Sequence, residues 1–340
     1  MKKVSESFGQ VAQTPITKYT LTNDNGVSIS AITLGATITG INIPTKDGGT
    51  KNIVLSFDNV QSYIDNHFFL CQAIGRTAGR ISKGTFEING KSYQVDPNEN
   101  ETTLHGGPHG FSTLVWDGEF HENSIIFTKH IASDIDSFPG NLTVQIEFSL
   151  SEDDKVLLKY TATSDADTLF NPTQHLYLNL SDENNALSQT ISVTSNEHLE
   201  LSSEKTPTGN FLPVENTPYD LRQPKQIGQA IEELKAQEGH SFDEIFHIDN
   251  HLSEEPIAIL ADNKSGRKMS LFSTRNGLVV FTPGGWDSSV QFADGAGEPF
   301  KGIALEAQTL PDSPNHQGFG DVSLLKGETR TETIGIKLEY

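Results

Sequence analysis

Alternation with a period of two dominates the chain. Between Leu142 and Leu150, the residues Leu142, Val144, Ile146, Phe148 and Leu150 fall on one side, with Thr143, Gln145, Glu147 and Ser149 on the other. Successive side chains of an extended strand point to opposite faces, so this segment predicts a half-buried antiparallel strand. Residues 27–31, 158–162 and 191–194 repeat the theme. Phe86 and Ile88 stand opposite Tyr93 and Val95 across Asn89-Gly90, a dipeptide that tolerates the positive φ of a two-residue hairpin turn. Asn25-Gly26 and Asp47-Gly48 mark further turns.

One helix interrupts the strands: Ile227, Ile231 and Leu234 follow helical spacing, with Gln229, Glu232, Glu233 and Lys235 outward. The alternating strand–helix rhythm of a parallel sheet, a low-complexity linker and a fixed-period repeat are all missing. Many short strands joined by Gly, Pro and Asn turns predict an all-β protein, a large antiparallel β-sandwich with a few short peripheral helices. Residues 1–340 are expected to form one domain.

Composition narrows the partners. With 340 residues, 35% of them hydrophobic, the chain can bury a large core without disulfides or a structural metal. Its formal charge of −21 repels nucleic acid and anionic membranes, so neither is expected as a partner. A phosphorylated substrate would need a local basic pocket. Cys71 is the only cysteine, so no intrachain disulfide can form, and a cytoplasmic location is expected. Met1-Lys2-Lys3 resembles the charged start of a signal peptide, but the residues that follow supply no apolar stretch. Nowhere is there a run of about 20 apolar residues that would span a bilayer.

Five segments carry polar residues that turn propensity leaves unexplained. Residues 75–84 hold Arg76 and Arg80 among three glycines, directly after the apolar Phe68-Phe69-Leu70; either arginine can fork onto hydroxyls or carboxylates, or be a solvated turn residue. Residues 104–111 place His105 and His109 among glycines that allow close backbone approach to a ligand; an exposed histidine is the plainer alternative. In residues 171–180 the alternating register puts His175, Tyr177 and Asn179 opposite Leu176, Leu178 and Leu180, which suits either a reactive group or a hydrogen-bonded sheet residue. Asp243 and Glu244 follow Gly239-His240, and on local pattern alone a solvated acidic turn is the better reading. Glu306 and Gln308 alternate with apolar neighbours before a Pro-rich loop, where surface ion pairing is the competing explanation.

Other chemistries lack their signatures. His105, His109 and His175 with a carboxylate could form a zinc site, but no HExxH or cysteine ligand spacing accompanies them. No Gly-x-Ser-x-Gly elbow, P-loop or dinucleotide fingerprint occurs. No metal or cofactor is expected.

Taken in order, the five segments resemble the aldose 1-epimerase (galactose mutarotase) family. The family's L-H-G-G-x-x-G-F motif with a following V-W reads here as residues 104–111 with Val115-Trp116, and its T-N-H-x-Y-x-N-L strand as residues 173–180. Residues 206–209, 217–222, 303–308 and 325–329 match further family stretches, so the resemblance runs from about residue 15 to 340. It implies a cofactor-free isomerase that interconverts the α and β anomers of a free aldohexose, working as a monomer or homodimer. By the same resemblance Glu306 is the general base, His175 the general acid, and His105, Asp243 and Arg76 bind substrate. Departures are Gln174 before the histidine, Thr77-Ala78-Gly79 in place of an A-N-R run, and Lys326 where proline is frequent.

Anomer exchange needs a proton removed from the C1 hydroxyl and one given to the ring oxygen. One carboxylate and one imidazole on two sides of C1 suffice. Nearby carboxylates are expected to keep the imidazole partly protonated, and partial desolvation to raise Glu306. Three competing functions remain: a glycoside hydrolase using Asp243 and Glu306, a hexose-6-phosphate 1-epimerase using the arginines, and a non-catalytic sugar-binding protein.

Overall fold

The computed structural model describes residues 1–236, 241–249 and 254–340. Three antiparallel sheets account for most of the strands. In the largest, Leu142–Leu150 lies between Ser124–Ile131 and Lys155–Ser164, and the sheet continues through Thr329–Glu339, Arg267–Phe272 and Ala258–Asp262. Leu142, Val144, Ile146, Phe148 and Leu150 are all buried while Thr143 and Gln145 are exposed, so the alternation marks one face against the core and one against solvent. A second sheet runs from Lys2–Val11 to Thr50–Asn52, and a third orders Tyr177–Leu178, Ile303–Gln308, Gly277–Phe281, Asp243–His247, Glu197–Leu201 and Pro207–Pro213. One apolar cluster draws on all three, with Ile29 from the second sheet, Ile146 from the first and Val280 from the third.

The hairpin forms with Phe86 directly opposite Tyr93, and Asn89 and Gly90 both take the positive φ that the turn demands. The helix spans Ile227–Lys235 and buries Ile227, Ala230, Ile231 and Leu234. Among the described residues, no helix is long and apolar enough to cross a membrane.

Three features depart from expectation. Ser28–Ile32 is buried on both faces rather than one, and Ile29, Ala31 and Ile32 all belong to the apolar cluster. A short helix, Val60–Asp65, capped by the Asn59 side chain on Ser62 N, had no periodic signal. The segment 171–180 is two strand pieces rather than one continuous strand: Thr173–Gln174 pairs with Ala73–Ile74, and Tyr177–Leu178 pairs with Ile303–Gln308. His175 sits where the chain changes partners.

Candidate active site

The third sheet builds the floor of the site by its register. Glu306 pairs with Val279 and Val279 with Ile245; two positions along, Tyr177, Ala304, Phe281 and Asp243 form the next row. Paired residues, and residues two apart on a strand, share one face of a sheet. Glu306, Asp243 and Tyr177 therefore emerge beside the apolar Val279, Ile245 and Phe281, and all six line a cleft of about 200 Å³.

His175 joins them from the strand break. Its ring stacks on Tyr177 at 4.8 Å and lies 6.1 Å from the Phe69 ring, and Nε2 is 3.4 Å from Glu306 Oε1. Both side chains are almost wholly buried, and His175 Nδ1 and Glu306 Oε2 have no hydrogen-bond partner. An unsatisfied buried polar atom costs about 1–3 kcal/mol, so each of these two atoms is available to hydrogen-bond a ligand.

Burial sets the protonation of this pair. Desolvation pushes the Glu306 carboxyl up to about 8, helped by the Asp243 charge and opposed by Arg80. It pushes the His175 imidazole down to about 4, against a backbone hydrogen bond and the attraction of Asp243. The raised carboxyl agrees with expectation. The partly protonated imidazole does not, because loss of water outweighs the neighbouring carboxylates. Between about 4 and about 8 the pair as a unit holds one proton, resting on Glu306.

His105 is fixed as an uncharged donor. Gly79 N–H donates to its Nδ1 at 3.2 Å, which leaves the proton of the neutral ring on Nε2. Burial, with His175 and Arg80 adding to it, holds its pKa well below the ordinary imidazole value. The donor can only be a residue without a side chain, since a Cβ on Gly79 would stand 2.5 Å from Pro311 Cβ, and its φ is +70. The departure at Gly79 thus has a local structural reason.

Asp243 reaches the cleft with Lys205 Nζ 2.6 Å from its Oδ2. Arg76 does not reach it. That guanidinium is buried, donates to Pro139 O at 2.8 Å and Thr168 Oγ1 at 3.1 Å, and lies over the Phe138 ring. Arg80 takes the position instead: the pairing of Arg80 with Leu104 sets it beside His105, and it lines the cleft while held by Glu99 at 2.5 and 2.9 Å. Of the two arginines, Arg80 and not the expected Arg76 lines the cleft.

Gln174, the other departure near the histidine, faces away from the cleft. Its amide donates to the carbonyls of Ala36 and Cys71 and accepts from Tyr160 OH, so it ties the strand break to the core. His109 is mostly exposed and bonded to Asp136, which removes it from the zinc set considered with His105 and His175. Among the described residues, His105, His175 and Glu306 offer ligand atoms within 4.8 Å of one another, as do Glu197, His247 and Asp249. Each trio is close enough to hold a cation. Gly239-His240, which precede the segment of Asp243, lie outside the described residues, and the acidic turn expected at Asp243 and Glu244 is instead the start of the strand Asp243–His247.

Sequence reasoning missed Phe69, Phe281 and Lys205 as cleft residues. Phe69 sits at φ 55 with its ring 4.8 Å from His105, a conformation that an apolar run does not announce. Phe281 could have been found only from the pairing of Gly277–Phe281 with Ile303–Gln308.

A buried carboxyl in contact with an imidazole at the wall of a cleft, flanked by a neutral donor and two ion pairs, has the parts of an acid–base catalyst. The sequence pattern of the aldose 1-epimerase family matches residues 17–337. An aldose 1-epimerase from Streptococcus thermophilus is 38% identical over 99% of this chain and 98% of its own. A maltose epimerase from Levilactobacillus brevis is 34% identical over 98% of each. The solved structure of an aldose epimerase homologue from C. elegans superposes with a TM-score of 0.87 at 22% identity, covering 99% of both chains, which supports the fold. The chain belongs to the aldose 1-epimerase family and is a carbohydrate-acting isomerase.

Proposed function

We propose that the protein interconverts the α and β anomers of free aldohexoses such as galactose and glucose. The observation that carries this reading is the approach of His175 Nε2 to Glu306 Oε1 at 3.4 Å inside the cleft. Glu306, as carboxylate, takes the proton of the C1 hydroxyl while His175, as imidazolium, gives one to the ring oxygen. The C1–O5 bond breaks, the aldehyde rotates about C1–C2, and the ring closes on the other face with the two groups exchanging roles. That one-proton form is an internal tautomer of the resting pair, with the proton moved from carboxyl to imidazole. His105 Nε2–H, Asp243 and Arg80 orient the sugar hydroxyls.

The cleft's charges favour an unphosphorylated sugar. Arg80 is occupied by Glu99 and Lys205 by Asp243, so a phosphate would have to break an ion pair to find a cation there. Polarimetry on freshly dissolved α-galactose and α-glucose, beside a hexose 6-phosphate and an aryl glycoside, tests the proposal. Acceleration with the free sugars supports it. Turnover of the phosphate alone, or release of sugar from the glycoside, overturns it.

A further inference from the structure

Among the described residues, Lys205 is the one cleft-lining cation that no sequence feature pointed to. It occupies the left-handed region, at φ 58, inside a turn fastened by a single serine. Ser202 Oγ accepts from the N–H groups of Glu204 and Thr206 and lies 2.8 Å from Thr206 Oγ1, while Ser202 O accepts from Lys205 N–H. This scaffold presents the lysine over the cleft mouth with its side chain 57% exposed.

An exposed ion pair contributes little to stability, about 0–1 kcal/mol. What the contact between Lys205 and Asp243 does supply is geometry. Asp243 stands on the cleft face of the third sheet, and at 31% side-chain exposure its carboxylate has room to turn toward solvent. Lys205 takes Oδ2, which leaves Oδ1 to accept from a sugar hydroxyl. The ammonium also acts on Glu99, the residue that grips Arg80 through both carboxylate oxygens. Two ion pairs, Lys205 with Asp243 and Arg80 with Glu99, thus reach the cleft.

We propose that Lys205 is a positioning residue of this site, which holds the Asp243 carboxylate in its sugar-binding orientation and acts through Asp243 rather than on the sugar's reacting atoms. The inference rests on the proposed anomer exchange. A hydroxyl acceptor that is already oriented loses less freedom when substrate binds, so the effect of Lys205 falls on KM.

A double-mutant cycle tests it by polarimetry on α-galactose, or on α-glucose if that is the better substrate. Lys205→Met should raise KM about tenfold with kcat within about twofold of wild type, and Lys205→Arg should recover most of the loss. In an Asp243→Asn background, Lys205→Met should change KM by less than about twofold, since a residue acting through Asp243 has nothing further to lose. Additive effects, failure of arginine to rescue, or a loss confined to kcat would overturn the inference while leaving the function intact. A wild-type protein without mutarotase activity would instead overturn the proposed function, and this inference with it.

Discussion

His175 Nε2 and Glu306 Oε1 meet at 3.4 Å although they arise from different parts of the chain, one at a strand break and the other mid-strand in the neighbouring Ile303–Gln308. Burial drives their proton affinities in opposite directions. Activity of such a pair depends on its holding one proton in total, whichever group carries it.

The proton lost last from the pair leaves at about 8 and the second binds at about 4. Below the lower value both groups are protonated and no base remains; above the upper value neither is and no acid remains. The kcat/KM of anomer exchange should therefore be bell-shaped with limbs near those values. A profile following an ordinary imidazole, falling on its acid side at about 6.5, would contradict the burial argument.

The same carboxyl links pH to stability. Its pKa is raised from 4.5 to about 8 on folding, so its contribution is fully present below the unfolded value and is lost as pH climbs through the folded one. Gln at this position has no proton to lose. Glu306→Gln should therefore gain stability over wild type by a few kcal/mol between about pH 5 and about pH 9. Denaturant unfolding at the two pH values checks this, and a gap that does not widen counts against a buried, proton-holding carboxyl.

The two arginines should separate cleanly. Arg80→Met should raise KM roughly tenfold with little loss of stability. Arg76→Met leaves the carbonyl of Pro139 without its donor, and should cost about 1–3 kcal/mol of stability with KM little changed. Unfolding curves beside steady-state kinetics decide; the reverse pattern would restore Arg76 to the site.

Much of this could be read from residue order and some could not. Leu142–Leu150 was legible because one face meets the core and the other meets solvent. Ile303–Gln308 is buried throughout, so its period says nothing about exposure; the alternation drew attention to Glu306, and only the family resemblance supplied its role. His175 was found, yet the strand assigned to it breaks there because two different partners claim its two halves. Spacing could not choose between Arg76 and Arg80, since the choice is made by pairing with Thr103–Leu104. Lys205 meets Asp243 across 38 residues, a contact that no local pattern records.

Gly79 offers a further check. Gly79→Ala places a methyl against Pro311 at a positive φ, a strain of about 1–3 kcal/mol, and displaces the N–H that sets the His105 tautomer. Stability and kcat/KM should both fall. An unchanged kcat/KM in a destabilised but folded variant would mean that His105 does not depend on this bond.

The most direct test of the account is the optical rotation of fresh α-galactose and α-glucose followed with wild type and with Glu306→Gln. Wild type should speed the approach to equilibrium, and Glu306→Gln should be slower by about 10²–10⁴-fold while still binding the sugar. Near-normal mutarotation by Glu306→Gln would contradict the assignment of proton transfer to this carboxyl and the imidazole facing it.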